Sequence, residues 1–166
     1  MSTAQKLEMN LVPLRTSLLD GRITLEALVD LIYKKIEIYR DHNVWIHVLP
    51  KEEVLRKAEV LWRLQNKQEL PLFGIPYAVK DNIDVAGIPT TAACEKFSYI
   101  PKDSADVVKK LDEAGALMIG KTNLDQFATG LVGPARLMAP LKTVLTPPIS
   151  LAGPVLDRNS GTRFCR

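Results

Sequence analysis

The chain has 166 residues, of which 46% are hydrophobic and 25% charged. That is ordinary globular usage and length enough for one domain with a sizeable core. No apolar run reaches the roughly 18 residues that a bilayer span needs. The N-terminus, "MSTAQKLEMN", carries Glu8 and lacks an apolar core segment, so a secretory signal is not expected there. Two cysteines, Cys94 and Cys165, give neither a disulfide framework nor metal-ligand spacing. A cytoplasmic protein without membrane attachment is the default expectation. The net charge of +3 belongs to one end of the chain. After Gly133 stand Arg136, Lys142, Arg158, Arg163 and Arg166 against Asp157 alone, leaving 17 basic and 18 acidic residues before them. With no basic stripe in that body, nucleic-acid binding is not expected.

Residues 24–40, "TLEALVDLIYKKIEIYR", place Leu25, Leu28, Val29, Ile32, Ile36 and Tyr39 on one helical face, with Gly21 and Thr24 as a plausible start. "VWIHVL" (44–49) is short and β-branched, so it reads as a strand or a buried extended link. Residues 51–66 repeat the helical pattern through Val54, Leu55, Ala58, Leu61 and Trp62. "GIPYAVKD" (74–81) predicts a strand entered through Pro76. "SADVVKKLDEAG" predicts a helix capped by Asp103 or Ser104 and stopped at Gly115. "ALMIGKT" (116–122) is an unbroken apolar run, the mark of a strand covered on both faces. The order of helices and strands predicts an α/β layered fold with a mixed or parallel sheet.

The chemistry-bearing stretch is "VKDNIDVAGIPTT" (79–91). Lys80 stands at a strand end before a polar loop with Gly and Pro. A lysine withdrawn from water loses affinity for its proton and becomes a general base for a hydroxyl nucleophile. A solvated surface lysine is the plainer reading of such a residue taken alone. His42 and His47 have no acidic or cysteine partner nearby in sequence and read as structural or exposed. Cys94 reads as a small core residue. Asp81 and Asp84 suit a carboxylate pair or a loop cap equally well. "GKT" (120–122) lacks the upstream glycine of a phosphate loop and is rejected as one.

Two ordered motifs, "PLFGIPYAVKDNIDVAGIPTTAAC" and "DSADVVKKLDEAGALMIGKTNLDQFATG", closely resemble the amidase-signature enzymes over about residues 20–133. "NVWI", the "AAC" after "GIPTT" and "NLDQFATGLVG" look most like the allophanate hydrolase branch. The A-type subunits of glutamyl-tRNA amidotransferases are similar too, but usually show Met and Glu where this chain has Leu124 and Gln126. The resemblance implies an incomplete N-terminal lobe of the amidase-signature fold, a mixed sheet covered by helices. It implies hydrolysis of allophanate to ammonia and carbon dioxide by a Ser–cis-Ser–Lys triad with Lys80 as base. Ala128, Thr129 and Gly130 would line the substrate pocket. It implies a small-molecule amide substrate, no cofactor or metal, and a homodimer in the intact family. A non-catalytic interaction module is the alternative outside enzymology.

Both serines of such a triad would follow Gly133, the first within a Gly/Ser-rich segment that this chain lacks. Instead, residues 134–166 hold five of the eleven prolines and keep no period, which predicts a domain over 1–133 and a disordered tail over 134–166. The tail has a further property. Take the last base of each codon with the first two of the next. Met138 into Ala139 must then spell glycine. Every junction from Gly133/Pro134 to Asp157/Arg158 is compatible with "TRSPYGAVKNSFDPAYISGGSSSGS", the segment the family leads one to expect. At Arg158/Asn159 the agreement with the usual alanine stops. The tail therefore reads as an out-of-frame translation of the serine-bearing segment, and the chain as an inactive fragment.

Overall fold

A computed structural model describes residues 10–129. Four helices, α1 (Leu11–Leu19), α2 (Leu25–Ile38), α3 (Lys51–Trp62) and α4 (Asp106–Glu113), accompany three strands, β1 (Trp45–Val48), β2 (Pro76–Lys80) and β3 (Leu117–Thr122). The strand order is β1-β3-β2. β1 runs antiparallel to β3, and β2 runs parallel to it. The fold is thus mixed α/β, as the alternation of elements predicts. The segment 134–166 lies outside the described residues.

β3 is central because its sequence allows it. Leu117 to Lys121 are all buried, so an unbroken apolar run serves a strand covered on both faces. Gly120 lets β1 close on it. A Cβ built there would sit 2.3 Å from the His47 carbonyl oxygen and 3.0 Å from Val48 Cα. The glycine of "GKT" therefore serves strand packing, which agrees with rejecting a phosphate loop.

The helices bury the faces that their spacing marks. On α2, Leu25, Leu28 and Val29 are buried, and the Thr24 hydroxyl caps the helix by accepting from the Ala27 N–H at 3.1 Å. On α3, Val54 and Ala58 join them. These residues form one core with Leu14, Leu18, Leu49, Phe73, Val108 and Leu117. α4 departs from expectation at its start. Its N-cap position is Ala105, without a side-chain cap bond, and Ser104 Oγ instead accepts from Ala86 N at 2.9 Å. The serine fastens the preceding loop, which competes with capping. α1 is a helix that no periodicity in the sequence announces. Pro13 lies in its first turn, where the missing N–H costs no intrahelical bond, and Leu14 and Leu18 anchor it.

Candidate functional site

The parallel pair β2–β3 determines which loops meet. Lys80 pairs in register with Thr122, so the carboxyl ends of both strands lie side by side. Residues 81–94 leave from one and residues 123–129 from the other. Ligands of α/β sheets bind outside such strand ends.

The first loop is held by buried polar groups. Asp81 is fully buried. Its Oδ2 accepts from the Thr91 N–H at 2.9 Å and from the Thr91 hydroxyl. Its Oδ1 lies 3.3 Å from Lys121 Nζ, an ion pair between two side chains with no exposure. Lys121 Nζ also donates to the Pro89 carbonyl at 2.9 Å and to Thr90 Oγ1 at 2.8 Å. The ammonium thus makes two hydrogen bonds, to the Pro89 carbonyl and Thr90 Oγ1, and an ion pair with Asp81 Oδ1, which itself accepts no hydrogen bond among the described residues. The Thr90 hydroxyl donates onward to Asp84 Oδ1 at 2.8 Å, which also accepts from Tyr99 OH at 2.7 Å. Burial lowers the Lys121 pKa, and the Asp81 charge acts against that shift.

The two aspartates therefore do not pair with each other. Each organises a different part of the loop, in line with the cap reading rather than a carboxylate dyad. Cys94 is buried, consistent with a core residue. His42 packs edge-on against the Tyr39 ring at 5.3 Å, and His47 is a half-buried residue of β1. Among the described residues, no group of His, Cys, Asp and Glu side chains is placed to hold a metal ion.

Lys80 ends β2 with an exposed side chain, and its carbonyl accepts from Ile83 N at 2.9 Å. Among the described residues, the lysine withdrawn from water is Lys121. Motif spacing does not single it out inside "GKT". Its position in an unbroken apolar strand run is the available signal, since a lysine there must find partners.

The second loop reaches the first through the backbone. Phe127 N–H donates to the Ala92 carbonyl at 3.0 Å. On both sides of this bond the chain is left-handed without glycine. Ala92 and Ala93 have φ of 50° and 58°, and Phe127 and Ala128 of 53° and 54°. Each such residue costs about 1–2 kcal/mol, so backbone strain is concentrated where the loops join. Of the three expected pocket residues, Ala128 and Thr129 follow directly on this contact, and Gly130 lies outside the described residues. Phe97 and Phe127 stack edge-to-face at 5.1 Å, both partly exposed beside it.

A small mixed sheet with helices and two loops joined at one sheet end matches part of the amidase-signature fold. The structure superposes on a crystallised amidase with a TM-score of 0.71 at 28% identity, covering 83% of this chain and 32% of that one. The Amidase family model matches residues 27–143, and the chain belongs to this family. Among relatives, the urea amidolyase of Saccharomyces cerevisiae is 57% identical over 91 residues, which are 55% of this chain and 5% of that protein. The chain thus spans about a twentieth of the length of such relatives. The A-type subunit of the glutamyl-tRNA(Gln) amidotransferase of Natranaerobius thermophilus is 36% identical over 126 residues, 74% of this chain and 26% of that one. The allophanate hydrolase of Kluyveromyces lactis superposes with a TM-score of 0.63 at 40% identity, over 80% of this chain and 22% of that one.

Proposed function

We propose that residues up to Gly133 are the lysine-bearing part of an allophanate-hydrolysing amidase site. In this reading Lys80 is the general base, and Ala128, Thr129 and Gly130 line the pocket for a small amide. One observation carries it. The Lys80–Thr122 register sets the lysine and the 123–129 loop at the same sheet end. The higher identity to urea amidolyase, 57% over 91 residues against 50% over 80 residues and 36% over 126 residues for two amidotransferase subunits, favours allophanate over a tRNA-linked amide.

The mechanism follows from what Lys80 is able to do. In the triad that the family resemblance implies, the Lys80 amine takes a proton from a serine hydroxyl. That serine activates a second one, which attacks the amide carbon and expels ammonia. Water then hydrolyses the acyl-enzyme. Lys80 supplies proton transfer, a contribution of about 10²–10⁴-fold. It supplies no nucleophile. The codon junctions from Gly133 to Arg158 support a one-base frame change that removed the serine-bearing segment. In this reading, with the serine-bearing segment out of frame, the chain as it stands is catalytically silent.

The test has two arms. The coding DNA around the Gly133 codon is sequenced, and the shifted frame is expected to spell the Gly/Ser-rich segment. Ammonia release from allophanate is then measured for this chain, for its Lys80→Ala variant and for the frame-restored gene product. Release is expected only from the restored product, and Lys80→Ala within it should abolish the release. Shifted codons that do not spell the segment would sink the frame reading. Lys80-dependent release by the unrestored chain would overturn the silence.

A further inference from the structure

The buried pair Lys121–Asp81 has no part in the proton transfer proposed above, yet it occupies the position from which both loops are held. Asp81 immediately follows Lys80, and its N–H donates to the Thr122 carbonyl at 3.1 Å, so the aspartate is pinned to the end of β3. Its Oδ2 holds residue 91 by two bonds, one from the backbone and one from the hydroxyl. Lys121, one residue before Thr122, holds residues 89 and 90 by two more. Residues 89–91 are thereby fixed by a carboxylate and an ammonium that neutralise each other.

The next two residues, Ala92 and Ala93, are those with left-handed backbone. A turn closed by the Cys94 N–H to Thr91 carbonyl bond, 2.8 Å, contains them. Side-chain-bearing residues stay in that conformation only where the surroundings over-determine it. The pinned residues 89–91 lie directly upstream. Downstream, the Ala92 carbonyl takes the Phe127 N–H, and Phe127–Ala128 adopt the same unusual backbone.

We infer that Lys121 and Asp81 are positioning residues for the pocket loop: their buried pair fixes Thr90–Thr91, which sets the reversed backbone at Ala92–Ala93, and the Ala92 carbonyl holds the Phe127 N–H at the base of the Phe127–Thr129 turn. The inference rests on the reading of Ala128 and Thr129 as pocket residues for its functional meaning. Its geometry is tested without any catalysis. Failure of the coupling and failure of the amidase reading are therefore distinguishable.

The experiment is amide hydrogen exchange by NMR on the full chain. Thr91→Val removes the hydroxyl that Asp81 accepts and leaves the fold's apolar contacts in place. The amides of Cys94 and Phe127 are expected to exchange roughly ten- to a hundredfold faster, the weight of a hydrogen bond to a charged group. Thr91→Ser, which keeps the hydroxyl, should restore the parental rates. A paired Lys121→Met/Asp81→Leu variant, which leaves no unpaired buried charge, should accelerate Phe127 in the same way. In all three, the Leu117 amide, bonded to the Ile75 carbonyl across β2–β3, should keep its rate. The coupling is overturned if Phe127 exchange stays parental in Thr91→Val, or if Thr91→Ser exchanges as fast as Thr91→Val. Should the paired variant fail to fold, the valine–serine comparison decides alone.

Discussion

Gly120→Ala tests whether the approach of β1 to β3 underlies the sheet. The new methyl would start 2.3 Å from the His47 carbonyl oxygen and 3.0 Å from Val48 Cα, both backbone atoms of β1. No rotamer relieves such a contact, because the obstructing atoms belong to a strand. Ordinary contact begins at 3.4 Å, so β1 must retreat by about 1 Å, beyond what a core absorbs without strain. Overpacking of this kind costs about 1–3 kcal/mol. The retreat also stretches the bond from Leu49 N to the Ile119 carbonyl, 3.0 Å long, just beyond the strand. A weakened backbone bond adds about 1 kcal/mol. The sum is about 2–4 kcal/mol, a large fraction of the stability of a small domain. Urea unfolding followed by far-ultraviolet circular dichroism reads it. With a slope of about 2 kcal/mol per molar urea, the midpoint should fall by about 1–2 M at unchanged slope. An unchanged midpoint would refute the close approach of the two strands.

Two further outcomes follow from single groups. Phe73 is fully buried in the core against Trp62, ring centroids 6.2 Å apart; Phe73→Ala should destabilise by about 3–5 kcal/mol in the same urea assay. Tyr33 donates to the Leu49 carbonyl at 2.6 Å, and burial, with Glu52 and Glu53 nearby, pushes its pKa up from 10.0 to about 12. The unfolded chain gives up this phenolic proton first, so the contribution is whole below pH 10 and is lost as pH rises from 10 towards 12. Urea midpoints should therefore fall across that window, and fall less steeply in Tyr33→Phe.

How much of this is legible in the residues differs by element, for physical reasons. α2, α3, β2 and β3 are readable because each carries its own period or an unbroken apolar run, and these report burial directly. β1 is ambiguous because its few residues are too short a stretch to show alternation; its partner on β3 makes it a strand. α1 is hidden because it is short and its apolar residues form no clear one-sided stripe; burial of Leu14 and Leu18 completes the helix. The Ser104 cap fails because the same hydroxyl serves the Ala86 amide.

At the candidate site the division is sharper. Lys80 is noticeable because a lysine at the end of an apolar strand faces a loop, and the motif around it is long. Lys121 is not, because its meaning depends on Asp81, which is remote in sequence. The apolar run around it marks a lysine that must find a partner, but nothing local says which carboxylate that is. The cost of burying a lone charge supplies the missing rule. A lysine within a strand covered on both faces requires a carboxylate on a neighbouring strand end, and the parallel register of β2 and β3 offers Asp81 beside Thr122. Once that pair is placed, the positions of Thr90 and Thr91 follow as the remaining acceptor and donor. The stretch 89–91, whose following turn meets the 123–129 loop at Ala92, is then fixed from within the sheet rather than from solvent.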